Sequence, residues 1–356
     1  NNYTLLIINN ENKGNIMKLT KILVALSFLF ATSTAYAGEL TVTGSMQATY
    51  QSETESTTGN PLGMDKELKF SGSTELDNGI TVSVMQDTSD ALVFGNSLIT
   101  FGGVAGLVDI SIGSDGGVVD AIDDITPTAF EEANATSGTY NDIGVDASQM
   151  GVTLQAELPY LGTFKTKYIP KADATKNADK AASADANNAV GSMASYSLAT
   201  DLAGLPVVGG YLDGAKLTLG YLDHDHSTVV GTDDALDATA AVNYSLGQFS
   251  AGIQYKYHNE GSTTTSGASS EKPIEYKDTV IGLAYAVNDA LSISYNRYES
   301  YKHDDNGTPE QDTDAISVGY TMGGMTIGFQ DASTDNANHV LNAKDDTRTL
   351  SVSVAF

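Results

Sequence analysis

The last ten residues of the chain alternate strictly between apolar and small or polar side chains. Within 347–356, the apolar set is Leu350, Val352, Val354 and Phe356, and the positions between them are Thr349, Ser351, Ser353 and Ala355. A period of two over about 9–11 residues is the pattern of a β-strand that crosses a bilayer at a tilt, with lipid on one face and water on the other. The segment therefore predicts a transmembrane β-strand.

The opposite end of the sequence predicts a secretory signal peptide over residues 17–37. Lys18 and Lys21 supply its positive charge, residues 22–31 form a short apolar core, and Ala35-Tyr36-Ala37 is a small-x-small cleavage site. The apolar core is too short to span a membrane as a helix. Residues 1–16 lie upstream as an unexplained leader that indicates a mis-assigned start. We therefore expect the mature barrel domain to be 38–356.

Charge and cysteine content exclude several classes of protein. The chain has 18 basic and 45 acidic residues, a net charge of −27, and no cysteine. Without residues 1–37, which contain three lysines and one glutamate, 15 basic and 44 acidic residues remain, a net charge of −29. Nucleic-acid binding needs lysine and arginine, so we expect no nucleic-acid partner. A disulfide framework and thiolate chemistry are excluded.

Alternating segments recur along the mature chain and predict an all-β fold, a transmembrane antiparallel β-barrel of 16 strands. The predicted strands lie near 40–50, 68–76, 80–84, 96–103, 106–113, 148–157, 163–170, 189–199, 213–222, 237–246, 248–258, 276–286, 290–299, 312–321, 325–331 and 347–356. Tight turns alternate with long polar connections, except at 202–213, where a Gly-rich linker replaces a turn. Short turns on one side and long loops on the other are typical of outer-membrane barrels.

The barrel is expected to close, because each unpaired backbone group in hydrocarbon costs several kcal/mol. The first strand must therefore pair with the last. The chain has no tryptophan, so tyrosine and phenylalanine must form any aromatic belt at the membrane interfaces. The candidates share the parity of the apolar face of their strands: Tyr50, Tyr196, Tyr221, Tyr244, Tyr255, Tyr285, Tyr295, Tyr320 and Phe329.

The segment Phe101–Ser114 resembles the fourth and fifth strands of Gram-negative general diffusion porins, in which a Gly-rich hairpin precedes the third loop. The signal peptide, strand count, loop pattern and Phe356 match the same family, in its acidic alphaproteobacterial type. The resemblance implies a homotrimer of 16-stranded barrels in outer-membrane lipid, passively permeable to small hydrophilic solutes and ions. It also implies that Phe356 is an assembly signal and that a third loop, here Asp115–Asn141, folds inward and narrows the pore.

That third-loop segment is rich in carboxylates, which predicts a cation-preferring constriction, because rings of acidic side chains in a narrow pore set charge selectivity. The candidate residues are Asp115, Asp120, Asp123, Asp124, Glu131 and Glu132, with Asp142 just beyond them. The alternative is a solvated external loop of ordinary acidic content.

Basic residues predicted to face the lumen are lysines: Lys69, Lys165, Lys167, Lys216 and Lys256. Better-known relatives oppose the acidic loop with an arginine cluster. The two arginines of this chain, Arg297 and Arg348, share parity with the outward residues of their strands. The sequence therefore does not predict a paired arginine wall.

Metal and cofactor sites are not expected. His224-Asp225-His226 is the closest approach to a zinc motif, but two histidines on one segment rarely complete a zinc shell, and all five histidines fall in predicted loops. Asp304-Asp305-Asn306-Gly307 lacks the ligand spacing of a calcium loop. The sequence is therefore compatible only with weak calcium binding by clustered acidic residues of the loops.

Other functions remain open on sequence alone. A sugar- or phosphate-selective channel would share the same barrel. A rim-active protease or phospholipase is disfavoured because no Gly-x-Ser-x-Gly motif is present and the acid–histidine candidate is a single close pair, His224-Asp225. An adhesin with a blocked lumen is the third alternative, which the constriction-type loop disfavours.

Overall fold

The structure is a computed structural model. It describes residues 40–54, 59–88, 94–114, 116–135, 137–138, 140, 143–144, 150–170, 190–206, 209–226, 234–261, 274–303 and 307–356. The leader 1–16 and the predicted signal peptide 17–37 lie outside these residues, as do Asp115, Asp142, Asp304 and Asp305.

Sixteen antiparallel strands form a closed barrel, as predicted. Every strand pairs with its neighbours in sequence, and β1 pairs with β16. The strands are β1 Thr41–Glu53, β2 Leu62–Glu75, β3 Thr81–Thr88, β4 Phe94–Val104, β5 Val108–Ser114, β6 Met150–Leu158, β7 Gly162–Ile169, β8 Val190–Asp201, β9 Ala215–His226, β10 Ala235–Leu246, β11 Phe249–Asn259, β12 Glu275–Ala286, β13 Leu291–His303, β14 Gln311–Met322, β15 Met325–Asp335 and β16 Lys344–Ala355.

Helical structure in the described residues is confined to short 3-10 turns. They are Asp120–Ile122, Ala133–Ala135, Leu202–Gly204, Gly209–Tyr211 and Ala337–His339. Two of these turns lie in the Gly-rich linker at 202–213. A membrane-spanning helix, judged by length and apolar character, does not occur among the residues described.

Several strands extend beyond their predicted ends on the long-loop side. β9 runs to His226, β13 to His303 and β15 to Asp335, while β16 begins at Lys344. The alternation of apolar residues ends where a strand leaves the lipid. Backbone pairing between strands continues beyond that point with charged residues opposite each other, such as Asp331 opposite Arg348. The prediction that all histidines lie in loops was therefore wrong: four lie in strands, namely His224, His226, His258 and His303.

The two faces of the strands differ as the period of two requires. Along β16, Leu350 is 46% exposed, whereas the adjacent Thr349 is 4% exposed. The outer face carries large exposed apolar and aromatic side chains, including eight of the nine predicted belt residues. The inner face, called the inner wall below, carries buried polar residues such as Gln254 and Gln330. This is the reverse of a water-soluble protein and matches a barrel with lipid outside and a polar interior.

Closure of the ring involves Phe356 directly. Its N–H donates to the Gly44 carbonyl at 3.0 Å, and its carbonyl accepts from the Gly44 N–H at 2.9 Å. The Phe356 ring also covers Gly44, since a Cβ at that position would lie 2.8 Å from the ring. Phe356 thus completes the β1–β16 ladder through both backbone and side chain.

We predict that removing Phe356 lowers the yield of folded barrel. Two backbone groups of Gly44 would lose their partners, each at a cost of several kcal/mol in hydrocarbon. The measurement is the fraction of protein that shows heat-modifiable mobility on a denaturing gel. Phe249→Ala is the matched control, because Phe249 is also an outer-face aromatic near a tight turn and is 65% exposed, against 66% for Phe356. Equal folded fractions after both changes would contradict the prediction.

Candidate functional site

The segment between β5 and β6, called the third loop, lies inside the barrel. Its described residues, 116–135, 137–138, 140 and 143–144, include many that form hydrogen bonds with the inner wall of β10–β16. The opposite face of these strands carries the exposed apolar side chains, so the loop occupies the interior. The predicted inward fold of this segment is therefore present.

Side-chain amides of the inner wall bind the backbone of the third loop. The bonds are Asn243 Nδ2 to Ile125 O at 2.8 Å, Gln254 Nε2 to Ile122 O at 2.8 Å, Ile125 N to Gln254 Oε1 at 3.2 Å, Asn296 Nδ2 to Pro127 O at 3.2 Å and Gln330 Nε2 to Glu131 O at 2.7 Å. A loop without strand partners needs such groups, because a buried backbone polar group left unpaired costs about 1–3 kcal/mol. The side-chain amides therefore supply the backbone hydrogen-bond partners that a neighbouring strand would otherwise supply.

Glycines on the inner wall provide the space that the loop occupies. They are Gly220, Gly252, Gly282, Gly319 and Gly328, on five different strands. A Cβ at Gly282 would lie 2.6 Å from the Pro127 carbonyl oxygen, and one at Gly319 would overlap the Ala129 carbonyl. These glycines form a groove across the wall, and the amides bind the loop along it.

The returning limb of the loop is bound nearer the long-loop end. Ser137 Oγ donates to the Asp345 carbonyl at 2.6 Å, and Gly138 N–H donates to Asp345 Oδ2 at 2.8 Å. Gly144 N–H donates to Asp237 Oδ2 at 2.8 Å, and the other oxygen of that carboxylate lies 2.5 Å from His258 Nδ1. The Asp237–His258 pair therefore holds the loop, which is a structural role.

The predicted constriction acids differ in exposure. Asp124 is exposed, with its side chain 40% accessible, whereas Asp120, Asp123 and Glu131 are half-buried and Glu132 is buried. The packed side of the loop faces the inner wall, so exposed atoms face the lumen. The structure thus brings these five acids onto one inward loop.

Glu132 lies in an environment that disfavours its charge. Its Oε1 accepts from the Thr126 N–H at 2.7 Å and from the Thr126 hydroxyl, while its Oε2 is buried without a partner among the described residues. Burial, followed by repulsion from Asp124, raises the pKa of Glu132 to about 7, although Thr126 and Lys256 oppose the shift. The same two causes raise the pKa of Glu131.

The five candidate lysines all lie on the inner wall by strand register, but not all reach the lumen. Lys69 and Lys216 are exposed and Lys165 is half-buried. Lys167 and Lys256 are buried, and Lys256 Nζ lies 2.6 Å from Asp124 Oδ1.

Both arginines lie on the outer face, as their parity predicts. Arg297 contacts acids of its own and the adjacent strand, at distances of 2.7 Å to Glu299 and 3.2 Å to Asp314. Arg348 pairs with Asp331 at 3.0 Å. The inner wall opposite the acidic loop therefore has no arginine cluster.

Among the described residues, no group of three or more His, Asp or Glu side chains is arranged to hold a metal ion. The amides and glycines of the groove were not identified from the sequence. The sequence does contain a pattern that could have identified them, because glycine or an amide residue recurs at inward-facing positions of neighbouring strands. That pattern can be interpreted only when the loop that packs against these positions is known.

A family model described as Gram-negative porin matches residues 23–327. The anion-selective porin from Comamonas acidovorans is 12% identical, covers 90% of this chain and 100% of its own, and has a TM-score of 0.64. Salmonella typhi OmpF in complex with daunomycin is 13% identical, covers 90% and 98%, and has a TM-score of 0.62. In-vitro folded OmpT of Vibrio cholerae, in a trimer form, is 12% identical, covers 90% and 100%, and has a TM-score of 0.60. No curated protein matches significantly. At these identities the solved structures establish the fold.

We predict that Gly282→Ala loosens the third loop. Overpacking against the Pro127 carbonyl should cost about 1–3 kcal/mol, enough to raise the population of displaced loop roughly ten-fold. The measurement is the labelling rate of a thiol introduced by Ala133→Cys, at a fully buried loop position in a chain with no other cysteine.

The control is Gly102→Ala, because a Cβ at Gly102 would lie 3.6 Å from its nearest neighbour, an ordinary contact. Equal labelling rates in the two variants would show that the glycine groove does not position the loop.

Proposed function

The chain belongs to the Gram-negative porin family, and from that membership we propose that this outer-membrane channel passes small hydrophilic solutes and ions by passive diffusion and prefers cations. The observation that carries the proposal is the acidic third loop, bound along one inner wall of the closed barrel. The family consists of channels, and its fold is a non-enzymatic one.

Passive diffusion requires a wet path beside the loop. The described loop contacts lie on β9–β16, and the inner wall of β1 and β2 carries exposed polar side chains. Thr43, Glu67 and Lys69 line a common cavity there. These features support a lumen open to water beside the loop, along β1 and β2.

Cation preference follows from where the carboxylates lie. Two unit charges about 4 Å apart interact by roughly 1 kcal/mol in water and about 4 kcal/mol at an effective dielectric of 20. Charges on the rim are screened within about 10 Å at 0.1 M salt. The acids of the third loop therefore influence passing ions more than the larger number of acids on the outside of the barrel.

We also propose a homotrimer in contact with outer-membrane lipid. The adjacent strands β1 and β16, with the residues directly before and after them, carry exposed apolar side chains: Leu40, Val42, Met46, Leu350, Val352, Val354 and Phe356. OmpT of Vibrio cholerae is described in a trimer form. The unheated gel samples used for Phe356 also test this proposal, because a solely monomeric band in mild detergent would contradict it.

The first functional prediction concerns Asp123 and Asp124. Replacing both with Asn should move the zero-current potential in a KCl gradient towards anions. If the loss of these charges removes only a tenth of a 4 kcal/mol interaction between a carboxylate and a passing ion, the K⁺/Cl⁻ permeability ratio still changes about two-fold. The control is Asp77→Asn with Asp289→Asn, which removes the same charge from two exposed tight-turn positions. Equal shifts in both double variants would place the selectivity determinant outside the third loop.

The second functional prediction concerns pH. Glu132 is neutral below and negative above its pKa of about 7, so cation preference should rise between pH 6 and 8. The charged groups that act on Glu132 are Asp124 and Lys256, and Thr126 donates hydrogen bonds to it. Any other group that loses a proton in this range changes the selectivity in the same direction, so the contribution of Glu132 is the difference between the wild type and Glu132→Gln.

Zero-current potentials at each pH measure this difference. Glu67→Gln, which removes an exposed inner-wall carboxylate, should retain the full rise. A rise of equal size in Glu132→Gln would show that Glu132 does not change its charge in this range.

A further inference from the structure

Lys256 on β11 lies behind the third loop rather than beside the open lumen. Its side chain is 1% exposed, and its Nζ contacts Asp124 Oδ1 at 2.6 Å. Asp124, by contrast, is 40% exposed, and its exposed atoms are those of the loop that do not pack against the inner wall. The pair therefore presents its negative end to the lumen and its positive end to the barrel wall.

The surroundings of Lys256 fix its position. Its Nζ lies 5.1 Å from the centre of the Tyr298 ring, and the Tyr298 hydroxyl donates to Asp278 Oδ2 at 2.9 Å. Asp278 is the residue opposite Lys256 on β12. A buried lysine that contacts a carboxylate and an aromatic ring has little freedom to leave Asp124.

Burial of this lysine is not explained by stability alone. Desolvating a charge costs several kcal/mol, and replacing a buried ion pair by apolar residues is often neutral or stabilising. An unbranched apolar side chain such as methionine would fill the same space. The charge of Lys256 is therefore better explained by its effect on the carboxylates of the loop.

We propose that Lys256 is a specificity-determining residue that limits the cation preference of the channel by offsetting the charge of Asp124 from behind. This inference rests on the proposed function. An ion close to the lumen surface interacts mainly with the nearer charge, the Asp124 carboxylate. An ion farther away interacts with the Asp124–Lys256 pair as a dipole, whose field falls off more steeply with distance than that of a single charge. Lys256 thus preserves local attraction for cations while reducing the long-range field of the loop.

The test is the K⁺/Cl⁻ permeability ratio of reconstituted channels in KCl gradients at low and high salt. Lys256→Met should raise the ratio about two-fold or more at low salt, because Asp124 then acts as a full charge. The increase should shrink at high salt, where screening shortens the range of the field. Lys256→Arg keeps the charge and should retain the wild-type ratio.

The matched control is Lys277→Met. Lys277 lies on the outer face of β12 and is 44% exposed, so its loss changes the net charge equally without affecting the loop. An equal rise of the ratio in Lys277→Met and Lys256→Met would overturn the proposal, since net charge alone would then explain it.

Asp124→Asn and the double variant Lys256→Met with Asp124→Asn complete the test. The double variant removes both charges, so its ratio should lie below that of Lys256→Met and above that of Asp124→Asn. If Lys256→Met does not assemble, the double variant is compared with Asp124→Asn alone, and the loss of Lys256 should again raise the ratio. No rise in that comparison would overturn the proposal.

The outcomes separate this inference from the proposed function. A wild-type channel without cation preference would contradict the proposed selectivity. A cation-preferring wild type whose ratio is unchanged by Lys256→Met would contradict only the role of Lys256. A change in single-channel conductance without a change in the ratio would also contradict it, because that result indicates a purely structural support for the loop.

Discussion

The requirement that backbone polar groups find partners in hydrocarbon determines most of this structure. In a sheet, only a closed ring gives every strand two neighbours, and here the last pairing is β1 with β16. The Gly44–Phe356 backbone bonds complete that pairing near one edge of the barrel. Once the ring is closed, each strand has an outer and an inner face, and the period of two assigns every residue to one of them.

The same requirement explains how a loop resides inside the barrel. The third loop has backbone groups that no strand pairs, and the inner wall supplies amides at Asn243, Gln254, Asn296 and Gln330 instead. Glycines across the wall leave room for the loop backbone. This tight arrangement also places carboxylates where water is scarce, which is why the pKa of Glu132 is raised to about 7 and why Lys256 lies close to Asp124.

Local pattern predicted the strands well but located their ends poorly on one side. On the short-turn side the apolar signal and the strand end together, as at Leu246 and Met322. On the long-loop side, strands continue with charged outer faces, as at Asp335 opposite Lys344, where alternation in hydropathy has already ended. His224 and His226 were assigned to a loop for that reason. Hydrogen bonding between strands continues beyond the membrane, whereas the hydrophobic signal does not.

The sequence by itself determined the barrel, its strand number, which face of each strand meets lipid, and which loop carries the acids. These properties depend on local periodicity and composition, which can be identified within each segment separately. Only the tertiary structure decided that Glu132 is buried while Asp124 is exposed, and that Lys256 binds Asp124 from behind although Lys69 has the same inward parity. Those outcomes depend on which strands the third loop packs against. The contacts between the loop and these strands join residues more than 100 positions apart, so no local sequence pattern predicts them.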